Sequence, residues 1–195
     1  MALNPSVFNL NNVTDTCSVW NVLSSKKLYL AATNAKVDFC ITSTVLYECL
    51  YKPRSSSTLE DTEMIDRLKN ARNQNKFPVI ECDLDSLALI ASTAPKGLGS
   101  GELSCIAASY QIRNVSFMTD EYKARQFSAN ELKLNVQTTP MLYAWLHFHF
   151  HLSDSDHHSV LEEHECFEKK IRLTNFFEDA YQEAARCRLM SVTSR

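Results

Sequence analysis

The segment from Lys96 to Arg125, KGLGSGELSCIAASYQIRNVSFMTDEYKAR, constrains the fold more than any other part of the sequence. It contains all three glycines of the 195-residue chain, and a cluster of glycine marks a loop of special backbone geometry. An apolar helical pattern follows the loop, and a short apolar run, VSFMT, follows the helix. The order of loop, helix and buried strand is typical of α/β proteins with a parallel sheet.

Two carboxylates stand at the ends of the elements in this segment. Glu102 opens the helix directly after the glycines, and Asp120 follows the strand. In an open α/β sheet, strand ends and helix starts meet at one edge, where ligands bind. We therefore expect Glu102 and Asp120 to lie together at that edge.

Two further acids occupy comparable places earlier in the chain. Asp15 lies where a short first strand should turn into a helix, although a helix-capping role alone would also explain it. A second buried strand is predicted over 37–42, and Glu48 lies on the helix that follows and that ends before Pro53. A solvated glutamate on the outer face of this helix is the alternative interpretation.

The remaining patterns continue the alternation of strands and helices. FPVIECDLDSLALIAS predicts strand, turn and helix, KLNVQTT predicts a strand, and PMLYAWLHFHFHL predicts a helix from its proline. Residues 159–188 predict one long charged helix with an apolar stripe. We therefore predict a single α/β sandwich with a mostly parallel central sheet of four to five strands, helices on both faces and a C-terminal helix.

Composition narrows the function classes. The net charge of −3 argues against a protein that coats polyanions, while a local patch would still suffice to grip phosphates. Seven cysteines without a CxxC pair, and without a signal-peptide pattern before them, predict reduced thiols in the cytoplasm. No apolar run approaches the ~18 residues of a membrane span, so we expect no membrane partner.

We refer to Asp15, Glu48, Glu102 and Asp120 as the acidic quartet, because all four are predicted to converge at the carboxyl edge of the sheet. Carboxylates packed so closely repel one another unless protons or cations lie between them. Hard oxygen ligands of this kind select Mg²⁺ or Mn²⁺. Two such ions ~3.5–4 Å apart can hold a phosphodiester and generate hydroxide for in-line attack.

In the order and spacing of these motifs, residues 5–150 resemble the PIN-domain ribonucleases. The resemblance is carried by the segments TDTCSVWNVL, TSTVLYECLYKP, GLGSGELSCIAAS, MTDEYKARQFSA and LNVQTTPMLYAW. The most specific part is the GE pair with its helix of small residues, followed by TD-x-x-x-AR. This part is similar to the branch found among bacterial toxin–antitoxin nucleases.

The resemblance implies a fold, a site and a cofactor. The fold would be a PIN-like three-layer sandwich, with residues 1–152 as the nuclease domain. Residues 153–195 lie outside the resemblance, and we expect them to form a helical extension packed on the same domain, because one stripe of the helix is apolar. The acidic quartet would supply the catalytic and metal-binding residues, with Mg²⁺ or Mn²⁺ as the cofactor. Thr16 and Thr119 match neighbouring polar positions that orient the cluster.

The activity implied by the resemblance is hydrolysis of RNA to 5′-phosphate and 3′-hydroxyl ends, by a toxin or an RNA-processing enzyme. Lys52, Arg54 and Arg125 could reach substrate phosphates, although each is equally explained as a solvated charge. A DNA-directed nuclease is one alternative, and an inactive PIN scaffold that binds RNA or a protein is another. An antitoxin-like protein and a second copy of the chain are the protein partners to consider.

The sequence departs from the family pattern in three places. Asn11 and Asn12 make the first strand less apolar than usual, and the third acid is Glu102 where many relatives have Asp. Glu121 adds an acid to which the pattern assigns no role.

Six histidines crowd the region between 147 and 164. His147 and His151 would share a helix face, as two metal ligands would, but no Cys or Glu completes a recognisable zinc pattern. We therefore expect exposed or capping roles for these histidines. The absence of GxSxG and of GK[ST] argues against a serine hydrolase and against a P-loop protein.

Overall fold

The fold is that of a computed structural model, which describes residues 3–53, 58–167 and 173–193. Internal contacts group the chain into two compact units. The sheet unit comprises Asn9–Trp20 and Asp38–Gln137, and the helical unit comprises Met1–Phe8, Asn21–Val37 and Thr138–Arg195. The predicted division at residue 152 stays a prediction, because the two units group residues by contact and not by independent folding.

The sheet unit is built on five parallel strands. These are β1 (Asn11–Thr14), β2 (Asp38–Thr42), β3 (Val79–Ile80), β4 (Ser116–Met118) and β5 (Val136–Gln137). Their order is β3–β2–β1–β4–β5, and every neighbouring pair is parallel. Val13, Ile41 and Phe117 are fully buried, as expected of central parallel strands. The predicted α/β class with a mostly parallel sheet of four to five strands is therefore confirmed.

The helices of the described residues are α1 (Thr16–Ser24), α2 (Lys26–Asn34), α3 (Ser43–Leu50), α4 (Leu59–Asn73), α5 (Leu84–Thr93), α6 (Ser100–Ile112), α7 (Tyr122–Asn130), α8 (Thr139–Phe148), α9 (Asp156–Glu165) and α10 (Thr174–Thr193). Helix α6 packs on β1, β2 and β4, and it also contacts α3 and α5. The small residues Cys105, Ala107 and Ala108 are fully buried in it, and they allow a close approach to the sheet. This approach brings the start of α6 to the end of α3.

The strand order reverses at β1, which has β2 on one side and β4 on the other. Such a reversal opens a crevice beyond the carboxyl ends of the two strands, and ligands of α/β proteins bind there. The residues that leave β1 and β4 at this point are Asp15 and Thr119. The backbone N–H of Asp15 donates to the carbonyl oxygen of Met118 at 3.2 Å, which joins the two strand ends.

The helical unit is formed by α2, α8, α9, α10 and the end of α1. Helix α8 packs extensively on α10, and α9 contacts both α2 and α10. Its core includes the fully buried side chains of Leu142, Tyr143 and Phe177. The side chain of Thr138 accepts a hydrogen bond from the N–H of Met141, and proline stands in the first turn of α8. The predicted helix from Pro140 is thereby confirmed.

The single long helix predicted over 159–188 is wrong, although the predicted C-terminal helix exists as α10. Helix α9 ends at Glu165, and Phe167 donates from its N–H to the carbonyl oxygen of His164 in a turn. Leu173 is buried and lies outside a helix, directly before α10 begins. No Pro or Gly marks the break, and apolar residues continue on both sides of it. The periodic pattern therefore could not reveal where one helix ends.

Within the described residues, which include all seven cysteines, no disulfide bond is formed. None of the helices within the described ranges is long and apolar enough to cross a membrane.

Candidate functional site

Asp15 and Asp120 lie beside each other at the crevice of the sheet unit. Asp15 follows β1 directly, and Asp120 comes one residue after Thr119 at the end of β4. Both side chains are buried, with 2% of Asp15 and 6% of Asp120 exposed. The topology of the sheet therefore brings two carboxylates together that are 105 residues apart in the sequence.

Each of these carboxylates accepts a hydrogen bond from a hydroxyl group. Thr119 Oγ1 donates to Asp15 Oδ2 at 2.5 Å, and Ser18 Oγ donates to Asp120 Oδ2 at 3.1 Å. The backbone N–H of Ser18 donates to Asp15 Oδ1 at 2.8 Å, so Asp15 also caps the start of α1. The sequence left two alternatives for Asp15, a helix cap or a member of the carboxylate cluster. In the structure Asp15 has both roles.

Burial raises the pKa of Asp15 from its usual 3.8 to about 7. The hydrogen bonds from Thr119 and Ser18 act in the opposite direction, and the negative charge of Asp120 adds to the increase. Removing a carboxylate from water disfavours its charged form, and so does a second carboxylate nearby. A divalent cation at this position would offset both effects.

Glu48 points from α3 to the start of α6. Thr16 Oγ1 donates to its Oε2 at 2.5 Å, and Ser100 Oγ and the N–H of Gly101 donate to its Oε1 at 3.0 Å and 3.2 Å. A Cβ atom on Gly101 would lie 3.0 Å from Cδ of Glu48 and closer still to its Oε2. Glycine is therefore needed here for close approach, and the interpretation of Glu48 as a solvated outer-face residue is wrong.

Glu102 holds the first turn of α6. Its carboxylate accepts a hydrogen bond from the backbone N–H of Gly99. The pKa of Glu102 is raised mainly by burial, and the charges of Glu121 and Glu48 raise it further. Glu121, which the sequence left without a role, therefore belongs to the electrostatic surroundings of the site.

The thiol of Cys105 donates to the carbonyl oxygen of Thr14 at 3.5 Å and is subject to charges from two pairs of carboxylates, Asp15 with Asp120 and Glu48 with Glu102. It is fully buried, and burial together with the charges of Asp15 and Glu48 raises its pKa well above the usual value. The charges that raise the pKa of Cys105 therefore come from one member of each pair. The acidic quartet forms two adjacent groups, one held by Ser18 and Thr119 and the other by the start of α6.

The carboxylates are hydrogen-bonded to hydroxyl and amide groups rather than placed around one empty point. In the part of the chain that the structure describes, no three His, Cys, Asp or Glu side chains are placed to hold a metal ion. The donor set still fits Mg²⁺ or Mn²⁺, because its atoms are hard oxygens and its most buried carboxylate lies beside another carboxylate. Thr16, Thr119 and Ser100 would have to release carboxylate oxygens for a shared ion.

The basic residues suggested for substrate binding differ in position. Lys52 is exposed just beyond α3, with its N–H bonded to the carbonyl oxygen of Tyr47. Arg125 lies on α7, with its Cζ 5.9 Å from the ring centroid of Tyr122. Arg54 lies outside the described residues.

The histidine region corrects two expectations. Helix α8 ends at Phe148, and His151 donates from its N–H to the carbonyl oxygen of Leu146 in the turn that follows, so His147 and His151 do not share a helix face. Phe150 has a positive φ of 60°, which turns the chain away from the helix. His147 is fully buried rather than exposed or capping, whereas His149 is the C-cap.

Of the residues that hold the carboxylates, the resemblance had suggested Thr16 and Thr119, whereas Ser18, Ser100 and Gly101 were missed. Ser18 stands three positions after Asp15, which is the spacing of a helix-capping contact and could have indicated it. Ser100 and Gly101 had no comparable signal, because their partner Glu48 lies more than 50 positions away.

Neither profiles of known protein families nor the sequences of curated proteins match this chain. The sheet topology and the geometry of the acidic quartet are therefore the features that point to a function.

Proposed function

We propose that this protein is a metal-dependent endoribonuclease with a PIN-like site, which hydrolyses RNA to 5′-phosphate and 3′-hydroxyl ends. The observation that carries the proposal is the pairing of Asp15 with Asp120 at the crevice of a parallel sheet, beside Glu48 and Glu102. Structural carboxylates are seldom gathered in this way, because their mutual repulsion lowers stability. Binding of a cation, and through it of a phosphate, would explain why these carboxylates are gathered.

The residues of the chain have distinct tasks in this proposal. Asp15, Glu48, Glu102 and Asp120 would hold Mg²⁺ or Mn²⁺, and Thr16 and Thr119 would orient Glu48 and Asp15. When bound, such an ion neutralises a phosphate and lowers the pKa of a water molecule towards neutrality. Water can then act as the nucleophile, so the reaction needs neither a histidine nor the 2′-hydroxyl group of the substrate. We place this activity in the cytoplasm, in keeping with cysteines that form no disulfide bond in the described residues.

The test is digestion of a labelled single-stranded RNA with Mn²⁺, and then with EDTA, followed by identification of the ends. The proposal predicts cleavage with Mn²⁺ alone and ends that carry 5′-phosphate and 3′-hydroxyl groups. Cyclic 2′,3′-phosphate ends, or cleavage that persists in EDTA, would contradict the mechanism. The same assay on single-stranded DNA decides between the two nucleic acids.

One observation favours a second candidate, a PIN-like scaffold without activity. The carboxylates already have hydrogen-bond partners, and no three of the described donor side chains are placed as metal ligands. A folded protein that binds RNA or a partner protein, but cleaves neither RNA nor DNA in millimolar Mn²⁺, would establish the scaffold. Co-purification from the native host would reveal an antitoxin-like partner, and sedimentation would reveal a homodimer.

A further inference from the structure

A groove of about 740 Å³ lies in the sheet unit, between the segment that precedes α6 and helix α7. One wall contains Lys96, and the other contains Tyr122, Lys123 and Glu131. The volume is within the range of sites that hold small molecules or parts of larger ligands. None of these four residues belongs to the acidic quartet.

The two walls come close to each other at Gly97. Lys123 reaches from α7 towards Gly97, whose φ is +98°, and a Cβ on Gly97 would lie 3.4 Å from Nζ of Lys123. The ammonium group of Lys123 therefore lies close to the segment that carries Lys96. Both charges face one groove although they come from different elements.

The charges in the groove favour an anion. Lys96 and Lys123 are exposed, and neither forms an ion pair within the described residues, while Glu131 is the one acid on the walls. A local excess of positive charge on a chain of net charge −3 is what phosphate binding requires. Unpaired lysines can bind phosphate without first breaking a contact.

The aromatic ring in the groove favours a nucleotide base. Tyr122 is 66% exposed, so much of its ring is open to a ligand. Arg125 lies on one side of its ring, with Cζ 5.9 Å from the centroid. Every base has a face that can stack on such a ring, but only an unpaired strand presents that face.

The groove adjoins the acidic quartet. Tyr122 follows Asp120 by two positions, and Lys96 precedes Glu102 by six. The turn at Glu121 links the site and the groove, since its N–H donates to Thr119 Oγ1 at 3.1 Å and Thr119 donates to Asp15. A strand with its phosphodiester at the acids could therefore continue directly into the groove.

We propose that this groove binds the single-stranded RNA substrate next to the scissile bond, with Lys96 and Lys123 on its phosphates and one base stacked on Tyr122. The inference rests on the proposed nuclease function, because it takes its ligand from that function. It adds a binding site that the acids themselves do not provide. The site selects unpaired strands and tolerates every base.

The test is binding of a fluorescent single-stranded RNA of about ten nucleotides, measured by anisotropy in EDTA at several salt concentrations. The full chain is used, and the recovered RNA is checked on a gel so that cleavage is not mistaken for release. Lys96→Ala combined with Lys123→Ala should reduce the slope of log Kd against log salt by about 1.4, or about 0.7 per phosphate contact. Tyr122→Ala should weaken binding roughly 5- to 150-fold, and Tyr122→Phe about twofold at most.

The matched control is Lys26→Ala combined with Lys69→Ala, which removes the same charge from exposed positions on α2 and α4 and should leave the slope unchanged. The proposal that the groove binds RNA would be overturned if the slope of log Kd against log salt were the same for all proteins. It would also be overturned if the control lost as much slope as the double variant of Lys96 and Lys123. A wild-type chain that binds no single-stranded RNA would overturn it as well. If the wild-type chain cleaves RNA and the groove variants bind RNA as wild type does, the RNA-binding role of the groove is refuted but the nuclease function is not. If the groove variants bind RNA less well and the wild-type chain does not cleave RNA with Mn²⁺, the nuclease function is refuted but the RNA-binding role of the groove is not.

Discussion

The sheet unit and the helical unit each bury a titratable side chain, and their surroundings differ. Asp15 in the sheet unit accepts hydrogen bonds from Thr119 and Ser18 and lies beside Asp120. His147 in the helical unit is 0% exposed, and neither of its ring nitrogens has a hydrogen-bond partner within the described residues. Its ring packs edge-on against Tyr143, with the centroids 4.6 Å apart.

Burial shifts the two pKa values in opposite directions. The pKa of Asp15 rises to about 7, whereas that of His147 falls from 6.5 to about 4. Burial is the largest cause in both cases, since it disfavours a charge of either sign. The charges of His157 and Arg188 lower the pKa of His147 further, against a smaller opposing effect of Asp154 and Asp156.

The comparison teaches that a shifted pKa alone does not identify a functional site. Around Asp15, hydroxyl groups, amide groups and further carboxylates converge at a crevice of the sheet. Around His147, aromatic rings fill the space, and the histidine takes the place of a core residue. Four experiments can break or sharpen this contrast.

The largest expected effect is on catalysis. Asp15→Ala and Asp120→Asn should each lower Mn²⁺-dependent RNA cleavage by about a thousandfold or more, because acids that act as a unit cannot be lost singly without losing most of the activity. His147→Phe should change the rate by less than about threefold. Single-turnover kinetics under matched conditions measure both. A loss in His147→Phe as large as that in Asp120→Asn would remove the distinction between the units.

The second effect is on stability against pH in the sheet unit. The pKa of Asp15 is higher in the folded state, so the stability that its protonated form contributes is complete below pH 3.8 and is lost as pH rises through 7. The loss is at most about 4 kcal/mol. Asp15→Asn should abolish it, giving a variant more stable than wild type at pH 8 in EDTA, as urea unfolding would measure. Identical curves for wild type and Asp15→Asn would contradict the assigned pKa, and the exposed Asp38→Asn serves as the control.

The third effect has the opposite sign and belongs to the helical unit. The pKa of His147 is lower in the folded state, so the stability that its neutral form contributes is complete above pH 6.5 and is lost as pH falls through 4. The loss is at most about 3 kcal/mol. His147→Phe should therefore flatten the fall in stability towards pH 4 in urea unfolding. The control His158→Gln, at a side chain that is 84% exposed, should leave that fall in place.

The smallest effect concerns the contact between Gly101 and Glu48. Gly101→Ala should displace the carboxylate of Glu48 and lower cleavage about tenfold, while the free energy of unfolding changes by less than about 1 kcal/mol, since alanine suits a helix. In a Glu48→Ala background the same substitution has nothing to displace. Kinetics of the double-mutant cycle should therefore show strong coupling between the two positions. Additive losses would mean that Gly101 acts elsewhere.

The sequence was sufficient to predict those parts of the site that depend on local pattern. Asp15 and Asp120 each follow a short strand, and the parallel order of such strands places their ends at one edge of the sheet. The polar Asn11 and Asn12 did not prevent β1 from forming, because Asn12 is buried and its side chain donates to the carbonyl oxygen of Asn9.

The parts that could not be predicted depend on contacts distant in sequence or on a missing local signal. The close approach of Gly101 to Glu48 joins two helices that no periodic pattern connects. The burial of His147 followed from the packing of α10 on α8, because its ring lies between Tyr143 of α8 and Tyr181 of α10, and Tyr181 is distant in sequence. The end of α9 had no breaking residue to mark it.

The most direct test of the central claim, that the acidic quartet exists to hold a divalent cation, is calorimetric titration of the full chain with Mn²⁺ at pH 8. At this pH Asp15 is mostly ionised even without metal, since its pKa is about 7. We expect wild type to bind Mn²⁺ and Asp120→Asn to lose that binding. Absence of binding by folded wild type, or equal binding by Asp120→Asn, would contradict the account.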